Sequence, residues 1–450
     1  MNLPSKKTLL VLALLAAPGA HSQTLTLTQA FQQALRADPT ILAAEQALLG
    51  GREKAVQGEA LLKPQVSLGA SVTGISSHAY SNWPEQMSAL VSPDSSGHVG
   101  EAAVKVLQPL YNATSSASKQ QLLSQTAGAE IRWTAAVQDL TRRVAESYLA
   151  VLSAQDTLRV TQAEEATLAE QRERAQARFE VGSGRITDVQ EAHARHDGTV
   201  AKVIAAQSAL ELRQAQFQSL TGAPALGLAD LARLTHLQAP KPEPLQDWQR
   251  KGLERNAYVQ SKRIELDVAR QEFGKYRLAS RPTLDLVGGY TMKGKGGDLS
   301  PLVASDRERT ATVGLQLSIP LYTGGALDSR EREASAKIRQ AEQELAAAQS
   351  DVQLQIHDAY LALHTGVARV QALQRAQDSS QSALDATMLG RDVGSRSQPD
   401  VLDAQQRFFA AQLDASQARI DVLLAQVRLA WAAGQLSEND LQAIDTALSP

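Results

Sequence analysis

Apolar and polar residues alternate over four short stretches of the chain. In the first stretch the apolar residues occupy every second position, namely Val66, Leu68, Ala70 and Val72. This period of two predicts β-strands near residues 64–74, 100–109, 282–292 and 310–320. Each stretch has about ten residues and an uncharged apolar face, which suits a tilted membrane strand. A soluble sheet with one buried face shows the same alternation, so the pattern alone leaves both possibilities open.

Long stretches without proline follow the second and fourth alternating segments. Residues Ala113 to Glu180 and Ala326 to Arg391 contain no proline, and apolar residues recur in them at spacings of three and four. We therefore predict two helices, each on the order of 100 Å long at ~1.5 Å per residue. The same criteria predict single helices of about 39 residues before Pro64 and about 30 residues before Pro282.

The same order of elements occurs twice, about 212 positions apart. Gln108-Pro109-Leu110-Tyr111 matches Ile319-Pro320-Leu321-Tyr322, and Val181-Gly182-Ser183 matches Val393-Gly394-Ser395. These matches indicate an internal duplication of a unit made of two strands and a long helix. The domain organisation predicted from it is a signal peptide at 1–22, a first repeat at 23–235, a Pro-rich linker at 236–249, a second repeat at 250–435 and a C-terminal segment at 436–450.

The N-terminus has the composition of an export signal. Lys6 and Lys7 precede the apolar run Thr8 to Ala17, and small residues before Gln23 suit cleavage by a signal peptidase. The net charge of -3 and the lack of a basic block argue against a nucleic-acid partner. The chain has no cysteine, which excludes disulfides, thiolate metal sites and a lipid-modified N-terminal Cys. No catalytic, cofactor or metal motif occurs, so we do not expect an enzyme.

Four strands are too few to close a barrel in a membrane. About eight is the practical minimum, and open sheet edges are not tolerated in lipid. If the alternating segments are membrane strands, the protein must therefore oligomerise. Two chains would supply eight strands and three chains would supply twelve, and the arithmetic does not choose between them.

Several motifs carry a resemblance to a known family, the TolC family of outer-membrane channel proteins. They are Arg178 to Gly182 with Ile186 to Gln190, Ile319 to Gly325, and Val393 to Arg396 with Asp400 to Ala404. The resemblance spans nearly the whole mature chain and, without a lipidated Cys, favours the unlipidated branch. It implies a homotrimer whose 12-stranded β-barrel lies in the bacterial outer membrane and continues into a periplasmic α-barrel of twelve helices. The linker and the C-terminal segment would lie in an equatorial region of that α-barrel.

The resemblance also implies a function and its partners. Members of the family are exit ducts for type I protein secretion or multidrug efflux. They dock with a periplasmic adaptor protein and an inner-membrane transporter. The alternative for this chain is a soluble periplasmic coiled-coil adaptor or scaffold, although adaptors lack two copies of a strand–loop–strand between helices.

By motif match, the two Val-Gly turns mark a periplasmic gate. A gate latch is expected from residues beside these turns, namely Thr187, Asp188, Arg391 and Arg396. Asp400 and Asp403, one helical turn apart, would form rings of carboxylates at the pore constriction under threefold symmetry. Two alternatives stay open: the charges could be solvated near the turns, and Asp400 could cap its helix. For His193 and His196 a solvated helix face is favoured over a metal site.

Overall fold

The computed structural model describes residues 25–78, 94–225, 227–229, 243–298 and 307–448. The predicted signal peptide and residues 236–242 of the predicted linker lie outside these ranges.

Nine helices and four strands make up the described part of the chain. In chain order they are α1 Leu27–Ala37, α2 Pro39–Ala60, β1 Gln65–His78, β2 Asp94–Tyr111, α3 Ala113–Glu180, α4 Ile186–Thr221, α5 Leu245–Arg255, α6 Ala257–Leu278, β3 Thr283–Asp298, β4 Arg307–Ser318, α7 Ala326–Asp392, α8 Gln398–Ala432 and α9 Glu438–Leu448. The order helix–helix–strand–strand–helix–helix occurs twice before α9. The long helices α3 and α7 have 68 and 67 residues. Among the described residues, no helix combines the length and apolar content needed to cross a membrane.

The single helices predicted before Pro64 and Pro282 are wrong, because each is broken in two. The first break lies at Asp38 between α1 and α2, and the second at Asn256 between α5 and α6. The Asn256 side chain accepts hydrogen bonds from the amides of Tyr258 at 2.9 Å and Val259 at 3.3 Å, and thereby caps α6. The two breaks occupy equivalent positions of the repeat, a signal that sequence reasoning did not use.

Asp38 starts α2 by the same kind of local bond. One carboxylate oxygen accepts from the Thr40 amide at 3.2 Å, and the other accepts from Arg143 at 2.6 Å. Burial opposes ionisation of Asp38, but the hydrogen bonds from Thr40 and Arg143 outweigh it and lower the pKa. Arg143 lies on α3, so this cap also ties the helix break to the long helix.

The chain folds into two compact units. Of the described residues, those within 1–42, 138–248 and 355–450 form the helical unit, and those within 43–137 and 249–354 form the sheet unit. Each unit therefore draws on both halves of the sequence repeat.

The helical unit holds the large apolar core. All of the largest fully buried side chains of the described residues belong to it: Tyr148, Phe217, Leu27, Ile41, Leu140, Leu149, Leu152, Ile356, Leu402, Ile420 and Leu423. Tyr148 donates its hydroxyl to the Leu25 carbonyl at 2.9 Å and accepts from the Ala229 amide at 3.3 Å. Burial raises the pKa of Tyr148 to about 12, so the phenol stays protonated.

The last helix, α9, is hydrogen-bonded to the first turn of α1. Asp445 on α9 accepts hydrogen bonds from the amides of Leu27 at 2.6 Å and Thr28 at 2.9 Å, and from the Thr28 hydroxyl. These amides belong to the first turn of α1, where no intrahelical acceptor is available and where negative charge is favoured. The carboxylate thus joins the two ends of the described chain within the helical unit.

The sheet unit contains one antiparallel sheet in the order β1-β2-β3-β4. Each strand pairs with its neighbour over nearly its full length, with a bulge between Pro109 and Tyr111. The strands extend beyond the predicted ranges at the hairpin ends, because backbone pairing continues through Gly- and Ser-rich rows where the apolar alternation has stopped. β1 and β4 are the edge strands.

The register gives the sheet two chemically different faces. One row of paired residues is Leu68, Val104, Tyr290 and Ala311, and on the other face lies the row Ser71, Glu101, Lys293 and Glu308. Apolar side chains on the first face are exposed in the single chain: Leu68 is 76% and Val313 84% accessible. An exposed apolar band of this size calls for a covering that the chain itself does not supply.

Helices of the sheet unit pack through small residues. A Cβ at Gly51 on α2 would lie 2.2 Å from the Cβ of Ala129 on α3, so only glycine fits there. The Thr126 hydroxyl donates to the Gly51 carbonyl at 3.1 Å across the same contact. The Ala- and Gly-rich sequence of these helices is thus used for close backbone approach.

A polar bridge also joins α3 to α6 in the sheet unit. Glu272 accepts from the Gln121 amide group at 2.7 Å and from Lys275 at 2.7 Å. Although burial opposes the charge, hydrogen bonds from Lys275, Tyr276 and Gln121 lower the pKa of Glu272 to about 2.

We predict that this bridge makes stability depend on pH. Because the pKa of Glu272 is lower in the folded state, its carboxylate stabilises the fold above about pH 4.5, and the contribution is lost as the pH falls towards about 2. Glu272→Gln should lower the thermal midpoint in detergent at pH 7, and the gap to the parent protein should close near pH 2. Glu342→Gln, which removes an exposed partner of Arg270, is the control for loss of one surface charge. A gap of constant size across this range would contradict the prediction.

Candidate functional site

The two turns that join long and return helices have the same backbone design. Gly182 after α3 and Gly394 after α7 adopt φ values of +73° and +80°, the left-handed region that favours glycine. In each turn the glycine amide bonds to the carbonyl three residues back, and the next amide bonds to the carbonyl five residues back: Gly182 to Phe179, Ser183 to Arg178, Gly394 to Arg391 and Ser395 to Gly390. Both helices therefore end in a Schellman motif, as the matching Val-Gly-Ser sequences require.

Within this shared design, an arginine and a glycine have exchanged places. The first turn carries Arg178 and Gly184, and the equivalent positions of the second turn carry Gly390 and Arg396. A Cβ at Gly184 would lie 3.1 Å from the Arg178 Cβ, and a Cβ at Gly390 would lie 2.8 Å from the Arg396 Cγ. In each turn the glycine leaves space for the arginine side chain beside it. The arginine therefore projects from before the turn in the first hairpin and from after it in the second.

The return helices begin differently as well. Ser397 caps α8, and its amide and hydroxyl both donate to Asp400 at 2.8 Å, forming a capping box. These hydrogen bonds, with the charge of Arg396, lower the pKa of Asp400 and keep it ionised. At the start of α4 the capping position is Arg185, whose Nε lies 3.6 Å from the Asp188 carboxylate.

A buried glutamine on α3 holds the second turn. Gln171 is 3% exposed, and its side-chain oxygen accepts from Gln398 at 3.1 Å and from Arg391 at 3.4 Å. Arg391 also donates to Asp392 at 2.7 Å, and its side chain is only 10% exposed. The Arg391 guanidinium is thus covered and directed at the neighbouring hairpin of the same chain.

An ion pair links the return helices α4 and α8. Arg195 on α4 donates to the Asp403 carboxylate on α8 at 2.8 Å and also bonds to Gln406. Its own-helix partner Glu191 lies at 2.8 Å, and hydrogen bonding to Glu191 and the charge of Asp403 raise the pKa of Arg195. Arg195 therefore spans the two hairpins within one chain.

The predicted latch residues have these positions in the single chain. Thr187 is exposed, Asp188 pairs with Arg185, and Arg396 lies over Gly390. Within the described residues, Asp188 and Arg396 make no bond to each other. The cap residue of α8 is Ser397, and Asp400 takes part in the cap as the third residue of the capping box. The roles of the latch and of the constriction stay predictions.

Sequence reasoning missed Gln171 and Arg195. A signal for Arg195 was present, because a shift of 212 residues maps Glu191 onto Asp403 and Arg195 onto Arg407. The repeat therefore places one acid–base pair on each return helix, and such pairs can exchange partners when the helices meet. Nothing in the sequence distinguishes Gln171 from the many other glutamines of α3.

The prediction of a solvated face is wrong for His196, which is 9% exposed. Its ring lies between α3 and α4, with Nε2 3.2 Å from Glu165 and Nδ1 3.2 Å from Asp197. In the part of the chain that the structure describes, no group of three His, Asp or Glu residues could hold a metal ion.

Comparison with known proteins gives the family. The chain matches the sequence profile described as outer membrane efflux protein over residues 30–223 and 248–435. The chain belongs to this family. It is 30% identical over 445 residues to the outer membrane protein TolC of Vibrio cholerae, covering 98% of this chain and 99% of that protein. It is 29% identical over 431 residues to the alkaline protease secretion protein AprF of Pseudomonas aeruginosa, covering 93% and 86%.

A solved structure of an outer membrane protein shows the same fold. The outer membrane protein VceC of Vibrio cholerae superposes with a TM-score of 0.77 at 19% identity, covering 92% of this chain and 97% of that one. The predicted resemblance is therefore confirmed. The protein is an outer-membrane channel that serves as an exit duct for secretion and efflux, and the alternative of a soluble adaptor is set aside.

We predict that Gln171→Ala loosens the second turn. It removes the acceptor shared by Gln398 and Arg391 and leaves a covered guanidinium with one partner fewer, at a cost of about 1–3 kcal/mol. Trypsin should then cleave faster at Arg391 and Arg396 in the folded protein. Gln176→Ala, on the exposed face of the same helix, is the control. Equal cleavage rates in the parent and both variants would show that Gln171 does not hold the turn.

Proposed function

We propose that three copies of the chain assemble into one continuous duct, with a 12-stranded β-barrel in the outer membrane. The observation that carries this is the four-stranded sheet with two open edges, apolar on one face and polar on the other. Hydrocarbon offers no partner for the backbone groups of β1 and β4, so β4 of one copy pairs with β1 of the next. Twelve strands make a closed barrel whose apolar band meets lipid.

The same threefold symmetry gives an α-barrel of twelve helices in the periplasm. Each copy contributes its long helices α3 and α7 and the shorter helices of the two repeats, which amounts to four helical lengths. The residues exposed along these helices in one chain are those available for contacts with neighbouring copies.

The duct works with other proteins. A periplasmic adaptor docks on the α-barrel and connects it to an inner-membrane transporter, which supplies the energy that a passive duct lacks. The likeness to a protease secretion protein supports type I protein export, and the family supports export of small molecules. Both cargo classes suit a water-filled channel with polar lining.

The two helix turns form the gate. Thr187 and Asp188 on one hairpin and Arg391 and Arg396 on the other provide polar latch contacts between copies. Arg396 is more accessible than Arg391 in the single chain and is therefore the better candidate for a contact between copies. Arg391 stabilises its own hairpin. The pore constriction is lined by three copies of Asp400 and Asp403; the capping box keeps Asp400 ionised, and Asp403 accepts a hydrogen bond from Arg195.

We predict that the detergent-solubilised protein has the mass of three chains and conducts ions when inserted into a planar bilayer. Native mass spectrometry and single-channel recording measure both properties on the full-length mature protein. A stable monomer with an intact sheet would contradict the barrel, because one chain leaves two sheet edges open.

We predict separately that the constriction carboxylates set ion selectivity. Replacing Asp400 and Asp403 with Asn keeps hydrogen-bonding shape and removes six charges per trimer, so the preference for cations should fall by roughly threefold or more. Asp414→Asn with Asp421→Asn, farther along α8, removes the same number of charges and is the matched control. Unchanged reversal potentials in the Asp400 and Asp403 variant would exclude these residues from the constriction.

A further inference from the structure

Two arginines interrupt the apolar face of the sheet at one end of β4. Side chains on that face of β4 alternate along the strand as Leu317, Leu315, Val313, Ala311, Arg309 and Arg307. The register places Arg309 beside Met292, and the row of Arg307 continues through Gly294, Gly100 and Val72. Both arginines are exposed and share the face that turns to lipid in the proposed barrel, on which this inference rests.

Their depth coincides with the boundary of a membrane. At ~3.4 Å per residue and a strand tilt of about 40°, Arg309 lies about 21 Å and Arg307 about 26 Å above Leu317 along the barrel axis. The apolar band of such barrels is about 25 Å tall, so the arginines bracket its upper limit. Tyr290, one row below Arg309 on the same face, is the kind of residue found at that interface.

This end of the sheet faces the outside of the cell. At this end the chain leaves β1 and enters β2, and leaves β3 and enters β4, while the long helices begin at the opposite end of the strands. Longer loops lie on the extracellular side of bacterial barrels, and the helices occupy the periplasm. The arginines are therefore level with the headgroups of the outer leaflet.

Arg307 and Arg309 have no acidic partner among the described side chains. Among the described residues, no carboxylate lies within ion-pair distance of Arg307 or Arg309, and Glu308 points to the opposite face in the row of Lys293. The strand that would pair with β4 in the closed barrel is β1 of the next copy, and β1 contains neither Asp nor Glu. On this face the register places Asp298 two rows and Asp94 three rows farther out, and Asp94 contacts His78.

We propose that Arg307 and Arg309 bind the phosphate groups of outer-leaflet lipid headgroups. A guanidinium binds phosphate through two parallel N–H···O bonds, and at an interface such pairs are stronger than in bulk water. Two arginines separated by one residue lie about 7 Å apart on one face, so they engage neighbouring phosphates of a lipid that carries more than one. Three copies give six guanidiniums around the barrel, enough to collect a ring of tightly held lipid.

Native mass spectrometry of the detergent-solubilised trimer tests this with two lipids as probes. Diphosphorylated lipid A, whose two phosphates lie on one headgroup, should bind to the parent trimer, and lipid A stripped of both phosphates should bind at least tenfold more weakly. Arg307→Gln with Arg309→Gln should reduce affinity for the diphosphorylated lipid at least tenfold. The control variant, Lys293→Gln with Lys295→Gln, removes the same charge from the polar face of β3. It should leave affinity for the lipid unchanged.

The controls separate this proposal from the duct itself. Equal affinity in the parent and the arginine variant, or an equal loss in the lysine variant, would overturn the lipid site while the trimer mass still supports the duct. Displacement of the lipid by millimolar inorganic phosphate would also overturn it, because a site for free anions would not require the lipid. A parent protein that runs as a monomer would overturn the duct and the lipid site together.

Discussion

The unpaired edges of the four-stranded sheet are the constraint on which the rest of the structure depends. β1 and β4 each present a row of backbone donors and acceptors, and the face between them is apolar and exposed. Neither feature is stable for a chain alone in lipid, because hydrocarbon cannot hydrogen-bond to the backbone. The proposed assembly of three copies would satisfy both, because each open edge would pair with the next copy and the apolar face would meet lipid.

Duplication supplied two copies of one hairpin design, and the differences between them carry the chemistry of the site. Both turns end in the same glycine-based motif, so their backbones are interchangeable. The first turn has Arg178 and Gly184, whereas the second has Gly390 and Arg396 at the equivalent positions. This exchange changes only the position from which the arginine side chain projects. The proposed gate is thus asymmetric on a symmetric backbone, which lets one hairpin act as partner of the other.

Polar side chains fix the alignment of helices that apolar packing alone would let slide. Small residues such as Gly51 permit close approach, but repeated Ala and Gly contacts look alike at every turn of a long helix. Gln171, Glu272 and the Arg195–Asp403 pair have their partners at one helix register, so a shift by one turn would break these bonds. These bonds therefore favour one register of the helices.

The sequence by itself determined the elements whose signals are local. Alternation marked the four strands, and the absence of proline marked α3 and α7, because strand and helix periods are properties of consecutive residues. The break at Asn256 is also local, because that side chain caps the helix that follows it. The burial of His196 and the pairing of Arg195 with Asp403 were decided by the tertiary structure. The partners of His196 and Arg195 lie 31 and 208 residues away in the chain. Both contacts depend on the rotation and register of packed helices, and a small error in either moves a side chain from a buried seam to solvent.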